Sequence, residues 1–236
     1  MIKKAVNSLL YAVFPKRCKL CGEVIRLDST LCPECENAEK ISGDICFKCG
    51  REKDCCVCKE EKFSPDYKAI AAPYYYEGSI EKGINRMKNN GFSELAQGMS
   101  KEIAETVNNR FSDITFDYVT SVPMRKRKEK TRGYNQSEFL AKALAKRIKT
   151  PYRPLLKKIA DTPSQRYSSV SARHTNLYGA FDLADGAKVD GKTVLIVDDV
   201  KTTGSTLSEC AAMLKIYGAT VYATAFAVTN KHENKK

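Results

Sequence analysis

Residues 194–206, VLIVDDVKTTGST, constrain this chain more than any other stretch. Val194, Leu195, Ile196 and Val197 are an unbroken apolar run, the pattern of a strand buried on both faces of a parallel sheet. Asp198 and Asp199 then stop the run. A strand interior does not hold two unpaired carboxylates, so the acids are expected at the strand's carboxyl end, facing solvent or ligand. Thr202, Thr203, Gly204, Ser205 and Thr206 follow, small and rich in hydroxyls, and lead into a helical pattern of Leu207, Ala211 and Leu214. Amides, hydroxyls and a helix N-terminus at one turn make a phosphate site. Open α/β sheets take ligands in the crevice beyond the carboxyl ends of their strands. Two acids beside that turn suit ribose hydroxyls, held directly or through a hydrated cation such as Mg²⁺.

The string is not a Walker A loop, because no GKS or GKT follows a glycine-rich run. It closely resembles the fingerprint of type I phosphoribosyltransferases: four apolar residues, two acids, then a hydroxyl-rich turn. In that family the acids lie at the ribose hydroxyls of phosphoribosyl pyrophosphate (PRPP) and the turn takes its 5′-phosphate. The resemblance implies catalytic roles for Asp198 and Asp199. It implies 5′-phosphate binding by Lys201, Thr202, Thr203, Gly204, Ser205 and Thr206, with Mg²⁺ accompanying PRPP.

Nine of the ten cysteines fall between Cys18 and Cys58. They form Cys18-x-x-Cys21, Cys32-x-x-Cys35 and Cys46-x-x-Cys49, followed by Cys55, Cys56 and Cys58. With no export signal, a disulfide scaffold is disfavoured. Thiolates two residues apart grip one tetrahedral ion from a single turn, and two such turns complete a four-cysteine site. Two structural zinc ions are therefore expected, on Cys18, Cys21, Cys32, Cys35, Cys46, Cys49, Cys55 and Cys58. Cys56 is the spare, because Cys55 and Cys58 keep the two-residue spacing. Sequential and cross-braced pairing both remain open. Gly22 and Gly50, each just after a pair, suit the tight turn of a zinc knuckle. Cys210, alone, is expected to be a small buried residue. His174 and His232 are isolated, and the polar tail at 230–236 is expected to be disordered.

At 236 residues and 42% apolar content, the chain fits one medium domain with a smaller one. The charged stretch at 59–66, ending in Ser64-Pro65, marks the boundary. A metal module with an N-terminal helix at 1–62 is expected to precede the main domain at 63–236. No run of about eighteen apolar residues exists, so no membrane-spanning segment is expected. The first fifteen residues lack a cleavage site and suit an amphipathic helix packed on the protein. A cytoplasmic location is expected. Strand-like runs at 69–76, 117–122, 180–183 and 219–228 alternate with helical periodicities through Ile80, Ile84 and Met87, through Leu95, Met99, Ile103 and Val107, and through Phe139 to Ile148. The fold class is α/β, a parallel sheet covered by helices on both faces, behind a double zinc-ribbon-like module.

Formal net charge is +12, and residues 122–158 hold thirteen Lys and Arg against two acids. So concentrated a tract implies a polyanionic partner. An enzyme that expels pyrophosphate needs cations opposite the 5′-phosphate. The loop at 124–135 leaves the same sheet edge as the acids. There Arg125, Lys126 and Arg132 are the expected pyrophosphate ligands. Together with Arg127, Lys128 and Lys130 they are the expected contacts to nucleic acid. Asn135 is placed to cap the next helix.

Across nearly its whole length the chain resembles ComF-type proteins, which place a zinc module ahead of a phosphoribosyltransferase domain. The cysteine module, VPMRKRKEKTRGYNQ, the segment with Thr162, Gln165, Arg173 and Asn176, and the fingerprint occur in that family's order. The resemblance implies a role in natural competence and DNA uptake, with single-stranded DNA and competence-machinery proteins as partners. Aromatics are sparse in and just beyond the basic tract (Tyr134, Tyr152, Tyr167), which gives little to base stacking. An active phosphoribosyltransferase without a DNA role and a PRPP-sensing regulator are the alternatives. The acceptor is not implied; it would be met by a hood segment that includes residues 74–88.

Overall fold

The computed structural model describes residues 14–56, 58, 64–89, 94–159 and 180–230. The expected N-terminal helix, the segment with Thr162, Gln165, Arg173 and Asn176, both histidines and the polar tail beyond residue 230 lie outside the described residues, as does most of the expected boundary.

Five strands form one parallel sheet. β6 (Thr193–Lys201) and β7 (Thr220–Val228) are its centre, β3 (Tyr118–Ser121) flanks β6, and β1 (Ile70–Ala71) and β2 (Tyr74–Tyr75) both pair with β7. The register sets Val119 beside Leu195 and Leu195 beside Tyr222. β4 (Leu156–Lys158) and β5 (Phe181–Leu183) make a separate antiparallel ribbon. Among the described residues the helices are a single turn α1 (Pro33–Glu36), then α2 (Gly78–Asn89), α3 (Leu95–Arg110), α4 (Lys126–Arg132), α5 (Gln136–Arg147) and α6 (Ser205–Ile216). Among the described residues, no helix is long and apolar enough to cross a membrane.

Because strand side chains alternate between faces, β6 feeds two cores. Leu195 and Val197 pack with Met99 and Ile103 of α3 and Leu140 and Leu144 of α5. Val194 and Ile196 pack with Leu207, Cys210 and Leu214 of α6. Helices thus cover both faces, as the apolar run predicts, and Cys210 is fully buried.

Four elements differ from their sequence pattern: the run at 69–76 forms two short strands, β1 and β2, the run at 180–183 pairs antiparallel with β4 outside the parallel sheet, and β6 and the basic loop depart as follows. β6 does not stop at the acids: pairing continues through Asp198 with Ala225 and Lys201 with Val228. Strand β7 is equally long, so its backbone satisfies β6 three residues further. The basic loop contains helix α4, whose Lys, Arg and Glu residues are good helix formers. Gly133 ends it at φ 85°, a left-handed cap that glycine adopts without strain.

The cysteine module is built onto the main core. Cys18, Leu20, Ile25, Ile41 and Ile45 belong to the same buried cluster as Ile84, Met87 and Met99. The backbone at residues 19–21 lies against two helix glycines. A Cβ at Gly83 of α2 would collide with the Leu20 carbonyl, and one at Gly98 of α3 with the Lys19 carbonyl.

Candidate ligand site and cysteine clusters

A cavity of about 400 Å³ opens at the carboxyl edge of β3 and β6, lined by Asp198, Asp199, Arg125, Arg132, Lys88 and Lys158 among others. Alternation along β6 sends the two acids different ways. Asp199 is buried and pairs with Lys88 of α2 at 3.0 Å. Asp198 accepts a hydrogen bond of 2.7 Å from the Ser137 hydroxyl at the start of α5. Removal from solvent, and then the Asp199 carboxylate, push Asp198 up to about 7. Two hard carboxylates in one cavity fit Mg²⁺, whose ligands are oxygens.

From the segment Arg132-Gly133-Tyr134-Asn135-Gln136, Arg132, Asn135 and Gln136 line this cavity. The Asn135 side chain accepts from the Ser137 amide, the expected helix cap, and its amide nitrogen donates to the Val122 carbonyl at 2.9 Å. The Tyr134 hydroxyl donates to the carbonyl of Met87, beside Lys88. Seven residues, about two turns, separate Arg125 from Arg132, so both reach the cavity. Lys126 and Lys130 are exposed and are not among its lining. The side chains of Arg127 and Lys128 lie outside the described set.

The turn after β6 presents exposed Thr202, Thr203, Ser205 and Thr206 around Gly204, which caps α6 at φ 88°. The Thr203 and Ser205 hydroxyls are 2.9 Å apart. Hydroxyls grouped at a helix N-terminus suit a phosphate. Lys201 departs from the expectation. It is the last residue of β6, only 3% exposed, and its ammonium lies beneath the turn, 3.4 Å from the Thr202 carbonyl. Burial and then the Arg51 guanidinium lower it from its ordinary value, while the thiols of Cys49, Cys58 and Cys46 act oppositely.

The cysteines gather as two sequential tetrads. One is Cys18, Cys21, Cys32 and Cys35; the other is Cys46, Cys49, Cys56 and Cys58; within each, all sulfurs lie within 4.8 Å of one another. Sulfur separations of 3.5 Å (Cys21–Cys32), 3.9 Å (Cys46–Cys58) and 3.8 Å (Cys49–Cys56) match the roughly 3.8 Å edge of a tetrahedron with zinc–sulfur bonds of about 2.3 Å. The donor sets fit zinc. The expected ligand Cys55 is corrected to Cys56. Residues 53–55 form a 3₁₀ turn, and the chain leaves it extended at Cys56 (φ −84°, ψ 122°). The sulfurs of Cys56 and Cys58, and not that of Cys55, gather with those of Cys46 and Cys49. Gly22 (φ 76°) and Gly50 (φ 78°) close their knuckles as expected, donating to the carbonyls of Cys18 and Cys46.

Sequence reasoning missed Ser137, Lys88 as the partner of Asp199, Lys158 and Arg51. Ser137 directly follows the RGYNQ segment, which is the one local hint. Lys158 closes the basic tract and Lys88 the hood segment, but nothing local ties either to the acids, and Arg51 has no signal of its own.

Parallel sheet, acids and hydroxyl turn together define a type I phosphoribosyltransferase fold, and residues 135–236 match the family model described as the phosphoribosyl transferase domain. Adenine phosphoribosyltransferase from Saccharomyces cerevisiae, at 17% identity over 70% of this chain and 81% of that one, superposes with a TM-score of 0.39. The DNA utilization protein YhgH of Escherichia coli K12 is 31% identical over 86% of this chain and 85% of its own length. Competence protein F of Haemophilus influenzae is 28% identical over 87% and 93%, and competence protein ComFC of Bacillus subtilis 24% over 87% and 86%. The chain belongs to the ComF family.

Proposed function

We propose that this protein binds PRPP with Mg²⁺ and acts in DNA uptake or utilisation, in the cytoplasm, contacting single-stranded DNA and other proteins of that machinery. The observation that carries the reading is the meeting, in one cavity, of Asp198 and Asp199 with Arg125 and Arg132, on the strand that runs on into the hydroxyl turn. Thr202, Thr203, Ser205, Thr206 and the amides at Gly204 hold the 5′-phosphate. Asp198 and Asp199 orient the ribose hydroxyls, and Lys88 releases Asp199 as the ligand enters. Arg125 and Arg132 face the pyrophosphate. If a phosphoribosyl group is transferred, charge grows on that leaving group, and fixed cations there lower the barrier. Bound Mg²⁺ supplies further neutralisation of the pyrophosphate oxygens.

Two names among the relatives refer to competence and one to DNA utilization. That supports the cellular setting. The outward basic face of α4 supports the DNA contact. The reading is tested by calorimetry with PRPP·Mg²⁺. Wild type should bind, and Asp198→Asn with Asp199→Asn should abolish binding while the circular dichroism spectrum is kept. Unchanged affinity in the double variant would overturn it. Turnover of labelled PRPP, with and without DNA, separates a transferase from a sensor.

A further inference from the structure

Among the described residues, three charged side chains are buried: Arg51, Asp199 and Lys201. Asp199 belongs to the cavity. Arg51 sits two residues after Cys49, and its carbonyl accepts from the Cys46 amide at 2.7 Å, so it is part of the second knuckle. Its guanidinium Nε donates to the carbonyl of Thr229 at 2.8 Å, across 178 positions of sequence. Thr229 in turn donates from its backbone amide to the Lys201 carbonyl at 3.0 Å, and from its hydroxyl to the Thr202 carbonyl at 3.4 Å. The relay therefore ends on the first residue of the hydroxyl turn.

The knuckle around Arg51 is fixed on the same side. The Ile70 amide donates to the Phe47 carbonyl, the Tyr67 hydroxyl donates to the Lys48 carbonyl, and Gly50 packs against Ile70 and Val228. Four thiolates around a divalent ion carry a net charge of about −2. Arg51 and Lys201 supply two buried positive charges in their field. Buried cations are tolerated when matched in this way.

We propose that Arg51 is a positioning residue for the phosphate-binding turn: anchored in the second cysteine knuckle, it holds Thr229 and, through it, Lys201 and Thr202. The phosphate part of this rests on the function proposed above. A buried guanidinium with a charge-assisted bond to a carbonyl fixes both partners in geometry. The turn is otherwise an exposed loop whose shape decides whether its amides converge on an anion.

The test uses the full-length, zinc-loaded protein with Arg51→Met, Arg51→Lys and Thr229→Val, well below their melting temperatures. Ribose 5-phosphate probes the turn and pyrophosphate·Mg²⁺ probes the cavity lined by Arg125 and Arg132. Arg51→Met should weaken ribose 5-phosphate by about tenfold, the scale of one charge-assisted bond, and pyrophosphate by less than about twofold. Arg51→Lys should recover part of the loss. Thr229→Val should show a smaller loss with the zinc content unchanged, and it remains informative if Arg51→Met does not fold. Hydrogen exchange at residues 201–206 should quicken in both. Wild-type ribose 5-phosphate affinity and wild-type exchange at 201–206 in Thr229→Val and in any folded Arg51 variant would overturn the proposal. If wild type binds neither ligand, the phosphate reading falls, and the exchange comparison still decides whether Arg51 positions the turn.

Discussion

Asp198 and Asp199 are neighbours in sequence but live in different surroundings. Asp199 has Lys88 as its counter-charge, whereas Asp198 has the Ser137 hydroxyl and its neighbour's amide. The raised affinity of Asp198 for a proton, up to about 7, has a definite sign for stability. Unfolded, the same carboxyl titrates near 4. The folded state therefore binds more protons across that window. Its contribution to stability is fully present below about pH 4 and is lost as pH rises through about 7. Melting temperatures of the unliganded protein, followed from about pH 5 to 8, should fall more steeply in wild type than in Asp198→Asn. Parallel profiles would mean that Asp198 is ionised throughout. The cysteines give a second residue-scale prediction. Cys55→Ser should retain two zinc ions per chain by elemental analysis, and Cys56→Ser should lose one; the reverse would restore the ligand set that spacing suggests. Spacing located both tetrads but misassigned this ligand, because Cys55 belongs to the 3₁₀ turn at 53–55 and the sulfur that joins the cluster is the next one along.

At the scale of elements, Gly83 and Gly98 invert a general rule. Glycine within a helix costs about 1 kcal/mol relative to alanine, so Gly→Ala at an exposed helical position stabilises. Here each glycine lets the first knuckle's backbone approach the helix. Alanine would meet a carbonyl oxygen rather than a pliable side chain, and overpacking of this kind costs about 1–3 kcal/mol. Gly83→Ala should therefore destabilise in urea denaturation and loosen zinc at the first tetrad; a gain in stability would show that the backbone relaxes freely around the added methyl. The sheet and most of its helices were legible because their apolar periodicities are strong and each strand is buried on both faces. Helix α4 was not, since none of its residues is apolar and a charged helix has no periodic stripe to detect. Nor was the length of β6, which is set by a partner strand. The seating of the cysteine module on α2 and α3 depends on residues far apart in sequence, and two helical glycines alone do not announce it.

For the whole molecule, the question is why +11 of a net +12 charge should sit in 37 residues. The cavity uses Arg125, Arg132 and Lys158 from this tract, together with Lys88 from α2. A pyrophosphate is compact and engages two or three cations, so the rest of the tract has no work there. Lys126 and Lys130 lie one turn apart on the exposed side of α4, an arrangement that follows an extended chain of phosphates. Single-stranded DNA should therefore bind with micromolar-range affinity and a steep salt dependence. At about −0.7 per neutralised phosphate, the log–log slope should be roughly −2 to −4. Replacing Lys126, Arg127, Lys128 and Lys130 by Ala, with Arg125 and Arg132 kept, should flatten the slope by that amount for every phosphate no longer neutralised. Binding should weaken equally for unrelated sequences, because ion pairs with phosphates carry no base information. PRPP affinity should hardly change in the same variant, since the cations facing the cavity remain. Fluorescence anisotropy at two salt concentrations, repeated with PRPP·Mg²⁺, measures each of these. No DNA binding at low salt would assign the outward lysines to a solvated helix face and leave the protein a PRPP enzyme or sensor. Loss of PRPP and DNA binding together in the variant would show that the two ligands share one surface, and that the division between the inner and outer faces of α4 is wrong.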